Sequence, residues 1–77
     1  LYPHVSTQIE VENIAQLHEA LQAGANSILL DNFSLEQLRK AVKINQKRAL
    51  LEAYGNVSLS TVRAIAETGV DRISVGS

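Results

Sequence analysis

The stretch SILLDNFSLEQL, residues 27–38, predicts a buried strand followed at once by a helix. The apolar run 28–30 is typical of a strand buried on both faces, and Asp31 follows at its end. Ser34 and Gln37 have the spacing of a capping box, which predicts that a helix begins here. A carboxylate at the end of a buried strand costs stability unless a partner compensates its charge, so we ask what Asp31 binds.

The same alternation of strand and helix continues in both directions from this stretch. Before it, residues 7–12 alternate polar and apolar side chains as strands do, and residues 13–24 have the apolar spacing of a helix. After it, residues 48–53 and 71–76 are predicted strands on either side of a helix over 58–69. The predicted order is therefore βαβαβαβ, an α/β fold with a parallel sheet and right-handed crossovers.

Single residues predict where the helices begin and which side they bury. Asn13 is suited to be the N-cap of the first helix. The third helix is expected to turn Val62, Ile65 and Ala66 inward.

Two segments of the chain resemble each other at an offset of 45 residues, namely AQLHEALQAGANSILLD at 15–31 and STVRAIAETGVDRISVG at 60–76. Each contains a helix end, a glycine, an Asn or Asp, and a strand that carries isoleucine. A barrel of βα units produces such a repeat, and so does a doubly wound sheet. The repeat therefore supports an α/β fold without selecting between these two architectures.

Composition excludes several classes of protein. The chain has 77 residues, of which 45% are hydrophobic and 19% charged, and it has no cysteine, which argues against disorder and against a disulfide scaffold. No apolar run approaches the ~18 residues of a membrane-spanning helix. We expect a single domain over residues 1–77 and, by default, a cytoplasmic location. Because the sequence starts at Leu1 without an initiator Met, we also expect a piece of a longer protein.

Five of the seven basic residues lie within ten positions: Arg39, Lys40, Lys43, Lys47 and Arg48. A cluster of this kind could bind nucleic acid, but the net charge of −1 gives no attractive field for a polyanion. Positive charge also suits the end of a helix, where the dipole is negative. We therefore expect neither nucleic acid nor a membrane as a partner.

Acidic residues occupy the carboxyl ends of three successive predicted strands. Ligands of parallel α/β folds bind at these ends, where Glu10, Asp31 and Glu52 would meet at one rim. Clustered carboxylates repel each other, so a metal cation or a hydroxyl-rich ligand is their natural partner. The alternative is that each acid caps the following helix, which applies most to Glu12 beside Asn13, or pairs with a neighbouring Lys.

Two glycines near the same rim suggest a phosphate site. Gly55 lies in a predicted loop over residues 52–60, where backbone amides lead into the third helix. Gly76 follows the fourth strand. Together with the acids, these glycines predict a sugar phosphate bound with a divalent cation.

The motifs IEVEN, LLDNFS, ALLEAYGNVS, AETGVD and ISVGS, in this order and spacing, resemble the carboxyl-terminal part of the quinolinate phosphoribosyltransferase family. The resemblance runs from about Val5 to Ser77. It implies a parallel fragment of an incomplete α/β (TIM-like) barrel, as part of an oligomeric enzyme. It also implies a reaction in which quinolinate and phosphoribosyl pyrophosphate give nicotinate mononucleotide, pyrophosphate and CO2 in NAD biosynthesis, with Mg2+.

The resemblance also assigns roles to residues. The family's ribose-contacting, metal-associated acids fall on Glu10 and Asp31. On this assignment the two acids are the catalytic residues and the possible Mg2+ ligands.

The family's phosphate loop falls on Tyr54, Gly55 and Asn56, and its second phosphate glycine falls on Gly76, followed by Ser77. Tyr54 departs from the family pattern, because a small serine hydroxyl is usual at this position.

The resemblance implies that this chain is the donor-binding portion of the enzyme. The family's quinolinate-binding arginines, histidine and lysines would precede Leu1, so we expect the isolated chain to be inactive. Two alternatives stay open: a pyrophosphorylase-like protein of the kind found with molybdate transport genes, and a non-catalytic fragment that folds autonomously. We expect four strands cut from a barrel to self-associate through their unpaired edges.

Overall fold

The computed structural model describes residues 8–55 and 57–75. Its elements follow the predicted order: β1 (Gln8–Val11), α1 (Ile14–Gln22), β2 (Ser27–Asp31), α2 (Leu35–Asn45), β3 (Leu50–Gly55), α3 (Leu59–Glu67) and β4 (Arg72–Val75). The predicted βαβαβαβ order is thus confirmed.

The four strands form one sheet in the order β1-β2-β3-β4, and every neighbouring pair is parallel. Each strand is added on the same side of the one before it, so the strand order never reverses across the sheet. With right-handed crossovers, this order puts all helices on one face. In agreement, α1 contacts α2 and α2 contacts α3. A doubly wound sheet would reverse its strand order and place helices on both faces. The described part of the chain therefore has the winding of a βα barrel, which settles the alternative left open by the repeat.

The core lies between the helices and one face of the sheet. Its fully buried large side chains are Val11, Leu17, Ile28, Leu30, Leu38 and Leu51. Burial of each such side chain stabilises the fold by roughly 1.5–3 kcal/mol. The prediction that β2 is buried on both faces is wrong for Leu29, which is half-buried on the opposite face. In the sheet Leu29 lies between Glu10 and Glu52, so that face is polar.

Short-range side-chain bonds define the starts of α1 and α2, as predicted. The Asn13 Oδ1 atom accepts a hydrogen bond of 2.8 Å from the backbone N–H of Gln16, whose own side chain accepts one of 2.7 Å from the N–H of Glu12. Ser34 and Gln37 form the expected capping box, with bonds of 2.9 and 3.2 Å. Each pair satisfies backbone N–H groups that the helix itself leaves unpaired.

The third strand begins later than predicted, at Leu50 instead of residue 48. Arg48 lies in the connection that follows α2, where its guanidinium donates to the carbonyl oxygens of Asn45 at 3.1 Å and Ile44 at 3.0 Å. The buried side chain of Asn45 holds the following turn by exchanging two hydrogen bonds with the backbone of Ala49, of 2.8 and 3.0 Å. Arg48 thus places positive charge at the negative end of the helix dipole, as the basic cluster suggested.

The inward face of α3 is only partly as predicted. Val62 and Ile65 are half-buried, but Ala66 is exposed. The helix that α3 mainly contacts is α2, so a narrower part of its surface is covered than in a helix packed closely on both sides. None of the helices in the described ranges is long and apolar enough to cross a membrane.

Candidate functional site

The face of the sheet that points away from the helices carries the candidate site. We call it the inner face, and its side chains alternate with the buried ones along each strand: Gln8, Glu10, Ser27, Leu29, Asp31, Leu50, Glu52, Tyr54, Arg72 and Ser74. The last row before the carboxyl ends of the strands consists of Asp31, Tyr54 and Ser74, which are register neighbours, and we call it the mouth row. One row below it, Glu10, Leu29, Glu52 and Arg72 lie side by side.

Glu10 and Asp31 are brought together at this end of the sheet, as the sequence predicted. Glu10 is the register partner of Leu29, so Asp31 lies two residues further along β2 on the same face. A hydrogen bond with the Asp31 side chain, together with the negative charge of that carboxylate, raises the pKa of Glu10 above its ordinary value. Burial and the charge of Glu12 act in the same direction more weakly. The two carboxyl groups therefore form a close pair that favours retention of a proton.

The expected rim of three carboxylates does not form. Glu52 accepts a hydrogen bond of 3.3 Å from the Gln8 side chain and a short one from the Ser74 hydroxyl. Glu52 lies in the same row as Glu10, but Leu29 of β2 separates the two, and β3 presents Tyr54 rather than an acid beside Asp31. Within residues 8–55 and 57–75, no group of three or more acidic or histidine side chains is arranged to hold a metal ion.

Tyr54 and Gly55 lie in β3, which extends two residues beyond the predicted strand end at residue 53 and corrects their assignment to a loop. The Tyr54 carbonyl accepts a hydrogen bond of 2.8 Å from the backbone N–H of Asn32. Gly55 has φ 153°, and a Cβ atom on it would lie 3.1 Å from the Asn32 side-chain oxygen. The close approach of Asn32 is thus a structural reason for glycine at position 55.

Sequence reasoning missed Asn32, although its residue type carries a usable signal. Its φ of 60° is in the left-handed region, which Asn tolerates better than most residues. This conformation turns the chain from β2 toward α2. The side chain of Asn32 then lies against Gly55, at the start of the predicted phosphate segment.

Hydroxyl groups cluster where β3 connects to α3. The Ser58 hydroxyl lies 2.8 Å from that of Ser60 and 3.2 Å from that of Thr61, and the Thr61 hydroxyl accepts a 2.9 Å bond from the Ser58 N–H. The start of a helix attracts anions through its free N–H groups and its dipole. Asn56, Gly76 and Ser77 lie outside the described residues, so their roles in phosphate binding stay predictions.

A hollow of about 510 Å3 lies at the opposite, amino-terminal ends of the strands. Lys47, Arg48, Asn45 and Asp71 are among its lining residues. Three of them already hold the backbone: Arg48 and Asn45 as described above, and Asp71 by accepting a 2.8 Å bond from the Leu51 N–H. Because this end of a βα barrel ordinarily serves stability, the candidate site is the carboxyl end with Glu10 and Asp31.

Comparison with known proteins gives one consistent family. Residues 2–77 match the family model described as quinolinate phosphoribosyl transferase, C-terminal domain. A relative from Synechocystis sp., named probable nicotinate-nucleotide pyrophosphorylase [carboxylating], is 41% identical over 76 residues, covering 95% of this chain and 25% of the relative. A Mycobacterium leprae protein, named nicotinate-nucleotide pyrophosphorylase [carboxylating], is 38% identical over 78 residues, covering 97% of this chain and 28% of its own length.

Solved structures with the same enzyme name have the same fold. The nicotinate-nucleotide pyrophosphorylase from Ehrlichia chaffeensis aligns with a TM-score of 0.89 and 44% identity, over 91% of this chain and 26% of that one. The enzyme from Francisella tularensis aligns with a TM-score of 0.87 and 44% identity, over 92% of this chain and 26% of that one. The chain thus spans about a quarter of the length of the relatives it matches.

Proposed function

The chain belongs to the family of the quinolinate phosphoribosyl transferase C-terminal domain, and we propose that it forms the donor-binding side of a phosphoribosyltransferase active site. The observation that carries this proposal is the contact between the Glu10 and Asp31 carboxyl groups at the carboxyl ends of neighbouring parallel strands. In parallel α/β folds this is the end that binds ligands. The proposed ligand is the ribose of phosphoribosyl pyrophosphate.

The proposed reaction is that of the named relatives, the carboxylating nicotinate-nucleotide pyrophosphorylases, in the direction of NAD biosynthesis. The lone pair of the quinolinate nitrogen forms a bond to the anomeric carbon of the donor, and pyrophosphate leaves with the electron pair of the broken C–O bond. One carboxyl group then leaves as CO2, and the ring carbon takes a proton. The products are nicotinate mononucleotide, pyrophosphate and CO2.

In this proposal the carboxylates of Glu10 and Asp31 act through charge and position. Departure of pyrophosphate leaves positive charge at the anomeric carbon, and fixed negative charge close to the ribose stabilises that charge. Hydrogen bonds from the ribose hydroxyls to the same carboxylates would hold the anomeric carbon in line with the attacking nitrogen.

Mg2+ is the proposed cofactor, and the residues present fit it. Two adjacent carboxylates, of which one has its pKa raised by the other, carry repulsion that a divalent cation relieves. Mg2+ is usually held by one or two carboxylates together with substrate phosphates and water, which matches a pair better than a cage of acids. When bound, the ion would neutralise negative charge on the pyrophosphate.

We further propose that Gly55 and the residues that follow it bind a donor phosphate through backbone amides. The support is the proximity of Gly55 to the start of α3, whose N–H groups and dipole favour anions. Asn56, Gly76 and Ser77 are assigned to the same role by the family resemblance.

The proposed complete enzyme is a cytoplasmic homo-oligomer that includes a quinolinate-binding part outside this chain, so the chain alone would be inactive. The names of the matched relatives favour quinolinate as the acceptor over the molybdate-associated alternative.

The test is Asp31→Ala in the full-length enzyme that this proposal requires. We expect turnover to fall at least a hundredfold, as for loss of one charge-stabilising group, while circular dichroism stays unchanged. Glu67→Gln, at the exposed end of α3 away from the mouth row, is the matched control and should keep full turnover. Equal turnover in Asp31→Ala and the parent would refute the role of Asp31.

A further inference from the structure

Glu52 connects three strands across the inner face. One of its carboxylate oxygens accepts a 3.3 Å hydrogen bond from the Gln8 side chain of β1, and the other accepts a hydrogen bond from the Ser74 hydroxyl of β4. The register partner of Glu52 on β4 is the cation Arg72, yet both of these bonds come from neutral donors. The half-buried carboxylate is therefore oriented from both sides by hydrogen bonds.

The bond to Glu52 decides how Ser74 can act toward a ligand. A serine hydroxyl has one proton to donate and two lone pairs that accept, whereas an ionised carboxylate only accepts. Since Ser74 donates its single proton to Glu52, its hydroxyl oxygen has only lone pairs left for other groups. A ligand at the mouth row, where Ser74 is half-buried, therefore meets it as an acceptor.

An acceptor at this position selects one part of the proposed donor. The phosphoryl oxygens of phosphoribosyl pyrophosphate are themselves acceptors and carry negative charge, so they gain no hydrogen bond from an oxygen that has no proton to give. Each ribose hydroxyl, in contrast, carries a proton that it can donate. The hydrogen-bonding state of Ser74 thus favours contact with the sugar over contact with a phosphate.

The spacing of the mouth row suits a sugar that contacts both of its ends. Asp31 and Ser74 flank Tyr54, one on each side of β3. Neighbouring strands lie about 4.8 Å apart, so the Cα atoms of Asp31 and Ser74 are about 10 Å apart, and both side chains extend over the inner face. A ribose held over β3 can donate one hydroxyl to Asp31 and another to Ser74.

We propose that Ser74, with its proton held by Glu52, accepts a hydrogen bond from a ribose hydroxyl of the donor and so contributes to selectivity for ribose over deoxyribose. This inference rests on the proposed function and adds two residues to the same site. Ser74 is a specificity-determining residue. Glu52 is a positioning residue, because it acts through Ser74 and not on the ligand.

Paired ligands test the role of Ser74. Calorimetric competition against phosphoribosyl pyrophosphate, with Mg2+ present, measures the affinities of ribose 5-phosphate and its 2-deoxy and 3-deoxy analogues for the 77-residue chain and its variants. We expect Ser74→Ala to weaken ribose 5-phosphate about three- to tenfold, as for loss of one hydrogen bond. It should change one of the two deoxy analogues less than about twofold, because that analogue lacks the hydroxyl that Ser74 accepts from.

Ser27→Ala is the matched control for Ser74→Ala. It also removes a half-buried hydroxyl from the inner face, but at the opposite end of β2 from Asp31. We expect it to leave the affinities for all three sugar phosphates unchanged.

Substitution of Glu52 tests the positioning role. Glu52→Ala frees the Ser74 proton, so that the hydroxyl can also donate to a phosphoryl oxygen. We expect the preference for ribose 5-phosphate over the discriminating deoxy analogue to fall about threefold or more. Glu52→Gln should keep this preference, because its amide oxygen still accepts from Ser74. A general loss of structure would weaken both ligands alike and leave their ratio unchanged.

The outcomes separate the two proposals. A Ser74→Ala variant that weakens ribose 5-phosphate and both deoxy analogues by the same factor, or weakens none of them, overturns the role of Ser74 and leaves the donor site intact. An unchanged preference in Glu52→Ala overturns the positioning role of Glu52. A parent chain that binds none of the phosphorylated ligands overturns the proposed function and the inference with it.

Discussion

The carboxyl groups of Glu10 and Asp31 lie close together across the carboxyl ends of β1 and β2, and Asp31 raises the pKa of Glu10 through hydrogen bonding and charge. Two acids at this distance repel each other when both are ionised, so their proximity acts against stability in the absence of a ligand. Proteins tolerate such pairs where function requires them.

Removal of the Glu10 charge should stabilise the chain in a pH-dependent way. The pKa of Glu10 is higher in the folded state than in the unfolded state, so the folded state binds the proton more tightly. The stability that this proton contributes is lost as the pH rises through the pKa of Glu10 in the folded state. We therefore expect Glu10→Gln to melt at a higher temperature than the parent at about pH 7, and this difference to shrink toward about pH 4. Thermal unfolding followed by circular dichroism at several pH values measures it. A difference that stays constant with pH would rule out repulsion between the two acids as the cause.

Mg2+ should stabilise the parent chain more at about pH 7 than at about pH 4, because a cation binds the ionised pair. The same melting experiment with MgCl2, against NaCl of equal ionic strength, tests this. Glu10→Gln should lose most of the effect. An equal response in the parent and the variant would mean that Mg2+ acts elsewhere on the chain.

Gly55→Ala should destabilise the sheet, because an alanine there takes a strained φ and meets the Asn32 side chain at 3.1 Å. We expect a loss of about 1–3 kcal/mol in the free energy of unfolding, measured by urea titration. Gly24→Ala is the control for strain alone, because Gly24 has φ 82° and open space around it. The loss at Gly55 should exceed that at Gly24, and Asn32→Gly in the Gly55→Ala chain should recover part of the excess, because glycine removes the side chain and adopts the positive φ of residue 32 without strain. Equal losses in the free energy of unfolding for Gly55→Ala and Gly24→Ala would rule out the contact with Asn32 as the cause.

The 77-residue chain should self-associate, because β1 and β4 each have one unpaired edge in the described sheet. Light scattering at increasing concentration should show dimers or larger species. Val75→Lys places a charge on β4, where Val75 is 68% exposed, and should shift the chain toward monomers. A parent chain that stays monomeric at high concentration would contradict this expectation.

Local sequence signals predicted the order of the elements and the capping residues Asn13 and Ser34, since these depend on neighbours along the chain. Features that depend on strand pairing were predicted less well. Leu29 was assigned to a buried face, and Glu52 was assigned to the same rim as Asp31. In the sheet Leu29 and Glu52 are register partners, and this pairing depends on residues that are distant in sequence. The late start of β3 likewise depends on a contact that the strand pattern does not show: the Arg48 side chain donates to the last carbonyl oxygens of α2, and Arg48 stays outside the strand.

The most direct test of the donor site is calorimetric titration of the 77-residue chain with phosphoribosyl pyrophosphate and Mg2+, with Asp31→Asn as the comparison. We expect saturable binding by the parent and a loss of about tenfold or more in affinity for Asp31→Asn, since one charged hydrogen-bond acceptor is removed. Glu67→Gln should bind as the parent does. Identical affinities for Asp31→Asn and the parent, or no binding by the parent, would contradict a donor site built on Glu10 and Asp31.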